Sequence, residues 1–427
     1  MIKSLSVGAA VAAALLISPY FVGQAYQTEY HNVLDKLEKN PQISVTHRDI
    51  EVNWFDGKAI TTLSINLGQG IEQQLVITSE DNLSFGPILF TNEGLTFSAV
   101  YFDSTIKLPE DIVDKETAAL INDKLTIASL FDFSGNYVTD VNMEAFTFEQ
   151  DDVAIEIDAF TSEMSVIDSK KMQGSFSWDG LKMTLPDASF VIDKVTGTFD
   201  QYVLEGDIYD AAAMLVGDGD IKVAKFDFTD LTSDAKVSVQ GALVDTSTNM
   251  HDQLMDINIA YAFDKLVMPL GNYDNAKLAL TLTNLDVPTL QSLSQQLNNL
   301  SEPETAQFQA EIEQLVPVAM KLLDNNPALK ITDLSVENEH GKVTSDAVMT
   351  LNKDVIDIQN PMTLAAAAKM EANAKIPTLF LTSLGVQPEI IQNFVEQGFV
   401  TQTEKDLSVK ALFEGGQLSL NGKPLQM

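Results

Sequence analysis

The chain has no cysteine among its 427 residues. It therefore carries no disulfide framework, no thiolate metal site and no lipidated cysteine behind an amino-terminal leader, and lipoprotein is excluded. Basic residues are scarce. Lys and Arg total 26 against 61 Asp and Glu, a net charge of −35 that repels nucleic-acid phosphates and anionic lipid headgroups. That balance excludes nucleic-acid binding, and membrane attachment through an adsorbing basic face with it. Histidine is rare as well: His31, His47, His251 and His340 stand apart, and their spacing builds no metal site. The usual signatures of catalysis are missing, with no Gly-x-Ser-x-Gly elbow, no phosphate-cradling glycine loop and no Gly-x-Gly-x-x-Gly entering a helix. Acid pairs such as Asp151-Asp152 and Asp218-Gly219-Asp220 are expected by chance at this acid content. The second lacks the alternating ligands and closing Glu of an EF-hand loop, and Gly217 to Asp220 reads as a solvated turn between strands. No cofactor and no catalytic residue is expected.

What the chain does have is a long apolar run from Leu5 to Val22, with Lys3 the only charge before Glu29. As helix this run rises about 27 Å, near the roughly 30 Å hydrocarbon core of a bilayer and long for a signal-peptide core. Leu5, Val11, Leu15, Leu16, Ile17 and Val22 are the expected lipid-facing anchor residues. Tyr20, Phe21 and Tyr26 fall at the exit depth that amphipathic rings prefer, and Lys3 marks the cytoplasmic side. The reading is a single-pass signal anchor over residues 1–23, inserted in the bilayer, with the body outside the cytoplasm. Cleavage after Ala25 competes with it, because Gly23-Gln24-Ala25 resembles a small-x-small site.

Residues 24–41 read as a juxtamembrane helix, with Tyr30, Val33, Leu34 and Leu37 at helical spacing and Pro41 as its stop. Residues 42–287 alternate apolar and polar with period two, as in Val153, Ile155 and Ile157 or Leu278, Leu280 and Leu282. Aromatic pairs two residues apart, such as Phe131 with Phe133, place both rings on one side of a strand and read as sheet core. Ser134-Gly135-Asn136, Asp179-Gly180 and Gly217-Asp218-Gly219 are expected turns of an antiparallel meander, and residues 109–125 a helical interruption. Over 288–427 the period becomes helical. A capping box at Ser301 and Glu304 opens a helix kinked at Pro317, short helices are expected near 377–384 and 388–397, and a hairpin turning at Gly415-Gly416 closes the chain. The fold class is α+β and predominantly antiparallel β: an elongated or curved β-meander with a helix-containing C-terminal region, behind a transmembrane helix.

Four stretches carry a resemblance. The apolar amino terminus, Trp54-Phe55, Phe85-Gly86-Pro87-Ile88 and the closing Leu418-Ser419-Leu420-Asn421-Gly422-Lys423 together resemble the YdgA-like family of bacterial envelope proteins, a domain of unknown function. The chain has Val52-Asn53 where that family tends to carry Arg-Gly, and Phe85 where it carries a His-like residue. The resemblance implies an inner-membrane location with the body in the periplasm and lends no activity. From the residues themselves, Trp54 and Phe55 read as packing residues, and Gly86-Pro87 and Asn421-Gly422 as turns.

Three functions follow as expectations. The first is a non-enzymatic envelope protein that handles or shields lipid or other hydrophobic material on an apolar sheet face. The second is a structural partner that docks envelope proteins, or a second copy of itself, through edge strands. The third, an acid-rich hydrolase of an envelope polymer, needs two carboxylates converging in a cleft.

Overall fold

The computed structural model describes residues 2–40, 42–66, 74–92, 94–107, 115–150, 152–210, 213–269, 271–298, 306–357, 360 and 362–425; within these, side chains are described except at 2–14, 150, 298, 306–309 and 362. The chain is mostly antiparallel β, a large meander with a few helices. It divides into two compact units, residues 1–181 with 196–216, and residues 182–195 with 217–427. Pro288, where the sequence changes period, lies inside the second unit.

The first unit opens with one continuous helix, α1 (Ile2–Leu37), in which the juxtamembrane helix continues the apolar run without a break. Pro19 sits inside it and removes only the amide that the Leu15 carbonyl would accept from. Among the described residues no helix is long and apolar enough to cross a membrane, and the side chains of residues 5–14, the first part of the apolar run, lie outside them.

Strands β1 (Ile43–Val52), β2 (Asp56–Asn66) and β3 (Gln74–Phe85) follow, then a small hairpin of β4 (Ile88–Thr91) and β5 (Gly94–Phe97), then β6 (Val100–Lys107). The helix α2 (Lys115–Lys124) interrupts the run before β7 (Leu125–Phe131) and β8 (Tyr137–Met143). The pairs β1–β2, β2–β3, β3–β6, β6–β7 and β7–β8 are all antiparallel, so the order in the sheet is the order in the chain apart from the separate β4–β5 hairpin. Alternation sets the faces. Ile50, Ala59, Leu83, Phe85 and Val100 meet in a core cluster, and α1 lays Val22, Tyr26 and Tyr30 over it. Residues 24–37 are thus bound along the sheet instead of standing free, and Leu34 is buried.

The second unit continues the meander through the strands Lys236–His251, Leu254–Met268, Gly271–Asp286, Ala328–Asn338, Gly341–Leu351, Ala368–Pro377, Asp406–Glu414 and Gln417–Leu420, each antiparallel to the next. Asp286 starts the helix Val287–Asn298 by accepting from the Thr289 amide at 3.0 Å, an N-cap at the third helical position. The helix Ala306–Leu322 contains Pro317, while Ser301 and Glu304 lie outside the described residues. Helices Thr378–Ser383 and Pro388–Glu396 and the closing hairpin at Gly415-Gly416 stand where the sequence put them. Residues 115–124 of the expected 109–125 interruption are helical; residues 108–114 lie outside the described residues.

Two expected turns are strand interior. Asp179-Gly180 lies within the strand Lys171–Thr184, and Gly217 to Asp220 within Leu215–Asp230, with Asp218, Gly219 and Asp220 opposite Ser247, Thr246 and Asp245. Gly180 and Gly217 both have φ of 141°, which glycine adopts inside a strand without ending it, so a glycine beside an aspartate stays in the ladder here instead of reversing it.

Candidate functional site

A cavity of about 890 Å³ in the first unit lies between α1 and the sheet. Helical period builds one wall: Val22, Tyr26, Tyr30 and Val33 fall on one stripe of α1 and face inward. The sheet builds the other with Phe102 on β6, Phe131 on β7 and Tyr137 on β8. Phe131 stands directly opposite Tyr137 across the β7–β8 ladder, and their rings stack at 4.7 Å. Tyr26 sits among Phe85, Phe102 and Phe131 at 6.4, 6.4 and 5.8 Å. Tyr209 closes one side, its hydroxyl donating to the Tyr137 hydroxyl at 3.3 Å, while Lys36 pairs with Asp207 and lies 5.9 Å from the Tyr209 ring.

Burial governs the electrostatics of the cavity's aromatic walls. Burial pushes the phenols of Tyr26, Tyr30, Tyr137 and Tyr209 all upward, so each is neutral at any physiological pH. Asp81, on β3, is raised by burial too, despite hydrogen bonds from Ser104 and Ser79 that pull the other way. The rim is polar and structurally committed: the Asp132 carboxylate accepts from the amides of Ser134 and Asn136 at 2.7 and 3.0 Å, and the Asn136 carboxamide oxygen accepts from the Asp168 amide at 2.8 Å. Among the described residues no group of three His, Asp or Glu could hold a metal. The arrangement offers neutral hydrogen-bonding hydroxyls within apolar and aromatic walls, which suits a mainly apolar molecule with a small polar end.

The residues singled out from sequence fall in three places. Lys3, Leu5 and Val11 lie on α1 with side chains outside the described residues. Leu16, Ile17, Tyr20 and Phe21 are exposed and Leu15 is half-buried, whereas Val22 and Tyr26 turn into the body instead of outward. Trp54 packs on α1: its indole nitrogen donates to the Leu16 carbonyl at 2.7 Å, and its ring lies 5.4 Å from that of Tyr20. Phe55 is exposed, and its carbonyl accepts from the Phe85 amide at 2.8 Å. The Gly86-Pro87 peptide is cis, the Gly86 amide donates to the Ala99 carbonyl at 2.6 Å, and a Cβ at Gly86 would collide with the Ser98 carbonyl. Asn421 and Gly422 form a turn of the second unit, where the Asn421 amide side chain donates to the Phe399 carbonyl at 3.1 Å.

Sequence reasoning missed Phe102, Tyr137 and Tyr209 as wall residues. Only the stripe on α1 signalled a wall, since a helix with an apolar stripe continuing past the membrane segment must cover something. No curated protein and no solved structure matches the chain. A family model for bacterial proteins of unknown function (DUF945) matches residues 1–427 in full, and the chain belongs to that family.

Proposed function

We propose that this protein is a single-pass, non-enzymatic protein of the bacterial inner membrane whose periplasmic body shelters a lipid or similar apolar molecule between α1 and the sheet. The finer kinship with YdgA-like envelope proteins belongs to this proposal. The observation that carries it is the 890 Å³ space walled by α1 and by Phe102, Phe131 and Tyr137. Its volume falls within the roughly 300–1,000 Å³ of ligand pockets, and its phenols are desolvated. The anchor reading rests on the apolar run from Leu5 to Val22, which leads along the same helix directly into the cavity wall.

The test is native mass spectrometry and lipid extraction on the full chain purified in mild detergent, alongside Val33→Trp, which fills the space from the helix side. Co-purifying lipid in the native chain that is lost in Val33→Trp is the expected result. A native chain that carries no lipid refutes the proposal.

A further inference from the structure

The β4–β5 hairpin has two unlike faces. Ile88 stands opposite Phe97 and Phe90 opposite Leu95, so these four side chains share one face, while Leu89 on the other is buried against the body. The shared face is 47% exposed at Ile88, 80% at Phe90, 68% at Leu95 and 71% at Phe97. Phe133, itself 53% exposed, extends it, with its ring 5.3 Å from that of Phe97. On a chain with a net charge of −35, a continuous face of five large apolar residues has no use in water.

Its position identifies what covers it. The sheet turns at residues 53–55, 86–99 and 132–136 all lie at one end of the ladder, because β1, β3 and β7 run into them while β2, β6 and β8 run out. Trp54 and Phe55 belong to that end and are half exposed. The same end meets α1 inside the apolar run, through the bond from Trp54 to the Leu16 carbonyl.

Length then decides the depth. The body flanks α1 from Leu16 onward, so residues 16–22 of the apolar run, about 10 Å of helix, lie alongside the body. The whole run, about 27 Å of helix, matches a hydrocarbon core of roughly 30 Å, so immersing it carries the adjoining end of the body about 10 Å into the leaflet. Interfacial elements enter a leaflet by about 5–10 Å, and Trp, Tyr and Phe favour that depth. We infer that the hairpin face of Ile88, Phe90, Leu95 and Phe97, with Trp54, Phe55 and Phe133, enters the periplasmic leaflet of the membrane that α1 spans. This rests on the anchor reading proposed above. Phe133 also lines the cavity, so the immersed face places that space beside the acyl chains.

Absence of cysteine makes the test clean. Phe90→Cys and Leu95→Cys in the full chain, each labelled with an environment-sensitive NBD dye, are reconstituted into vesicles of phosphatidylethanolamine and phosphatidylglycerol containing acyl-chain nitroxide lipid. Thr147→Cys, on an exposed strand of the same unit, is the control. Expected is quenching at positions 90 and 95 several-fold above that at 147. Carbonate-resistant, co-floating protein whose labels at 90 and 95 quench no more than the control overturns the inference while leaving the anchor intact. Protein that fails to co-float overturns the anchor reading first and this inference with it. A disulfide-linked dimer of unlabelled Leu95→Cys formed in the vesicles shows that a second copy covers the face, and also overturns it.

Discussion

At Gly23 α1 lies close against the sheet, and adding one carbon there tests whether the helix is held. A Cβ at this position would lie 2.6 Å from Val52 Cγ1 and 3.0 Å from two ring carbons of Phe85. Ordinary carbon contacts are about 3.5–4.0 Å, so helix and strand must part by about 1 Å to admit a methyl group. Overpacking of this kind costs about 1–3 kcal/mol. Opposing it, Gly to Ala inside a helix gains about 1 kcal/mol in propensity. Val52 is β-branched and stiff, and Phe85 is buried beneath it, so neither yields easily, and the steric cost wins. Gly23→Ala is expected to weaken docking by about 1 kcal/mol, which by hydrogen exchange is roughly fivefold faster opening of amides 24–37. Val52→Ala removes the nearer obstacle, so in that background Gly23→Ala costs about 1 kcal/mol less, a coupling typical of residues in contact. Slower exchange in Gly23→Ala, or strict additivity in the double variant, would show that α1 is not pressed on β1 and refute the reasoning.

Three further outcomes follow from single side chains. Tyr30→Phe removes a hydroxyl that lies 2.8 Å from Thr61 Oγ1 and donates to the Ile60 carbonyl at 3.2 Å; a loss of about 1 kcal/mol is expected in denaturant titration of the first unit. Asp227, in the second unit, is raised by burial but held down overall, to about 2, by the ammonium groups of Lys225 and Lys236 at 2.8 and 2.9 Å. A depressed folded value stabilises the ionised fold, so about 2 kcal/mol present above pH 3.8 is lost as pH falls towards 2, and Asp227→Asn flattens that acid limb of the stability curve. Asp81 has the opposite sign: burial raises it, so the folded state holds its proton better and stability declines as pH rises from 3.8 through the folded value. Asp81→Asn is therefore more stable than the native chain at neutral pH and gains nothing below pH 3.8, which thermal melts at the two extremes would show.

The strands were legible because burial on one face writes a period of two into the sequence, as at Leu278, Leu280 and Leu282. Helix starts were legible where a cap or proline marks them, as at Pro388. Glycine beside a small polar residue was ambiguous, since Gly135 turns the chain while Gly180 and Gly217 lie within strands, and all three have positive φ. Phe131 and Phe133 looked like a pair on one face. In the structure β7 ends at Phe131, so alternation no longer governs Phe133, and one ring lines the wall while the other also extends the exposed face. The cavity was not legible at all, because its walls join residues as distant as Val22, Phe131 and Tyr209, which only the meander brings together. Most telling is Tyr26, where the same amphipathic ring suits a membrane interface or a buried contact, and only the docking of α1 decides between them.

That docking also explains why a cavity exists. Strands β1, β2, β3, β6, β7 and β8 at about 4.8 Å spacing span roughly 24 Å of a sheet that runs on past β8, whereas one helix with its side chains covers about 10 Å. α1 packs chiefly on β1, β3 and β6 and reaches Phe131 on β7 through the Tyr26 ring, so β7 and β8 are covered less than their neighbours. A second helix or sheet is the ordinary solution; beside Phe131 and Tyr137 stand the single side chains of Tyr26 and Tyr209, which bound the space without filling it. The space is thus a consequence of covering a wide sheet with a narrow helix. It is too large to be a packing defect in an interior that normally tolerates few voids bigger than a water molecule. An apolar guest would complete for β7 and β8 the cover that α1 gives to its neighbours, and it would couple the guest to the helix through Tyr26, which touches both walls. Binding should therefore slow exchange along residues 24–37, and a substitution that loosens α1 at Gly23 should weaken retention of the guest without touching the pocket.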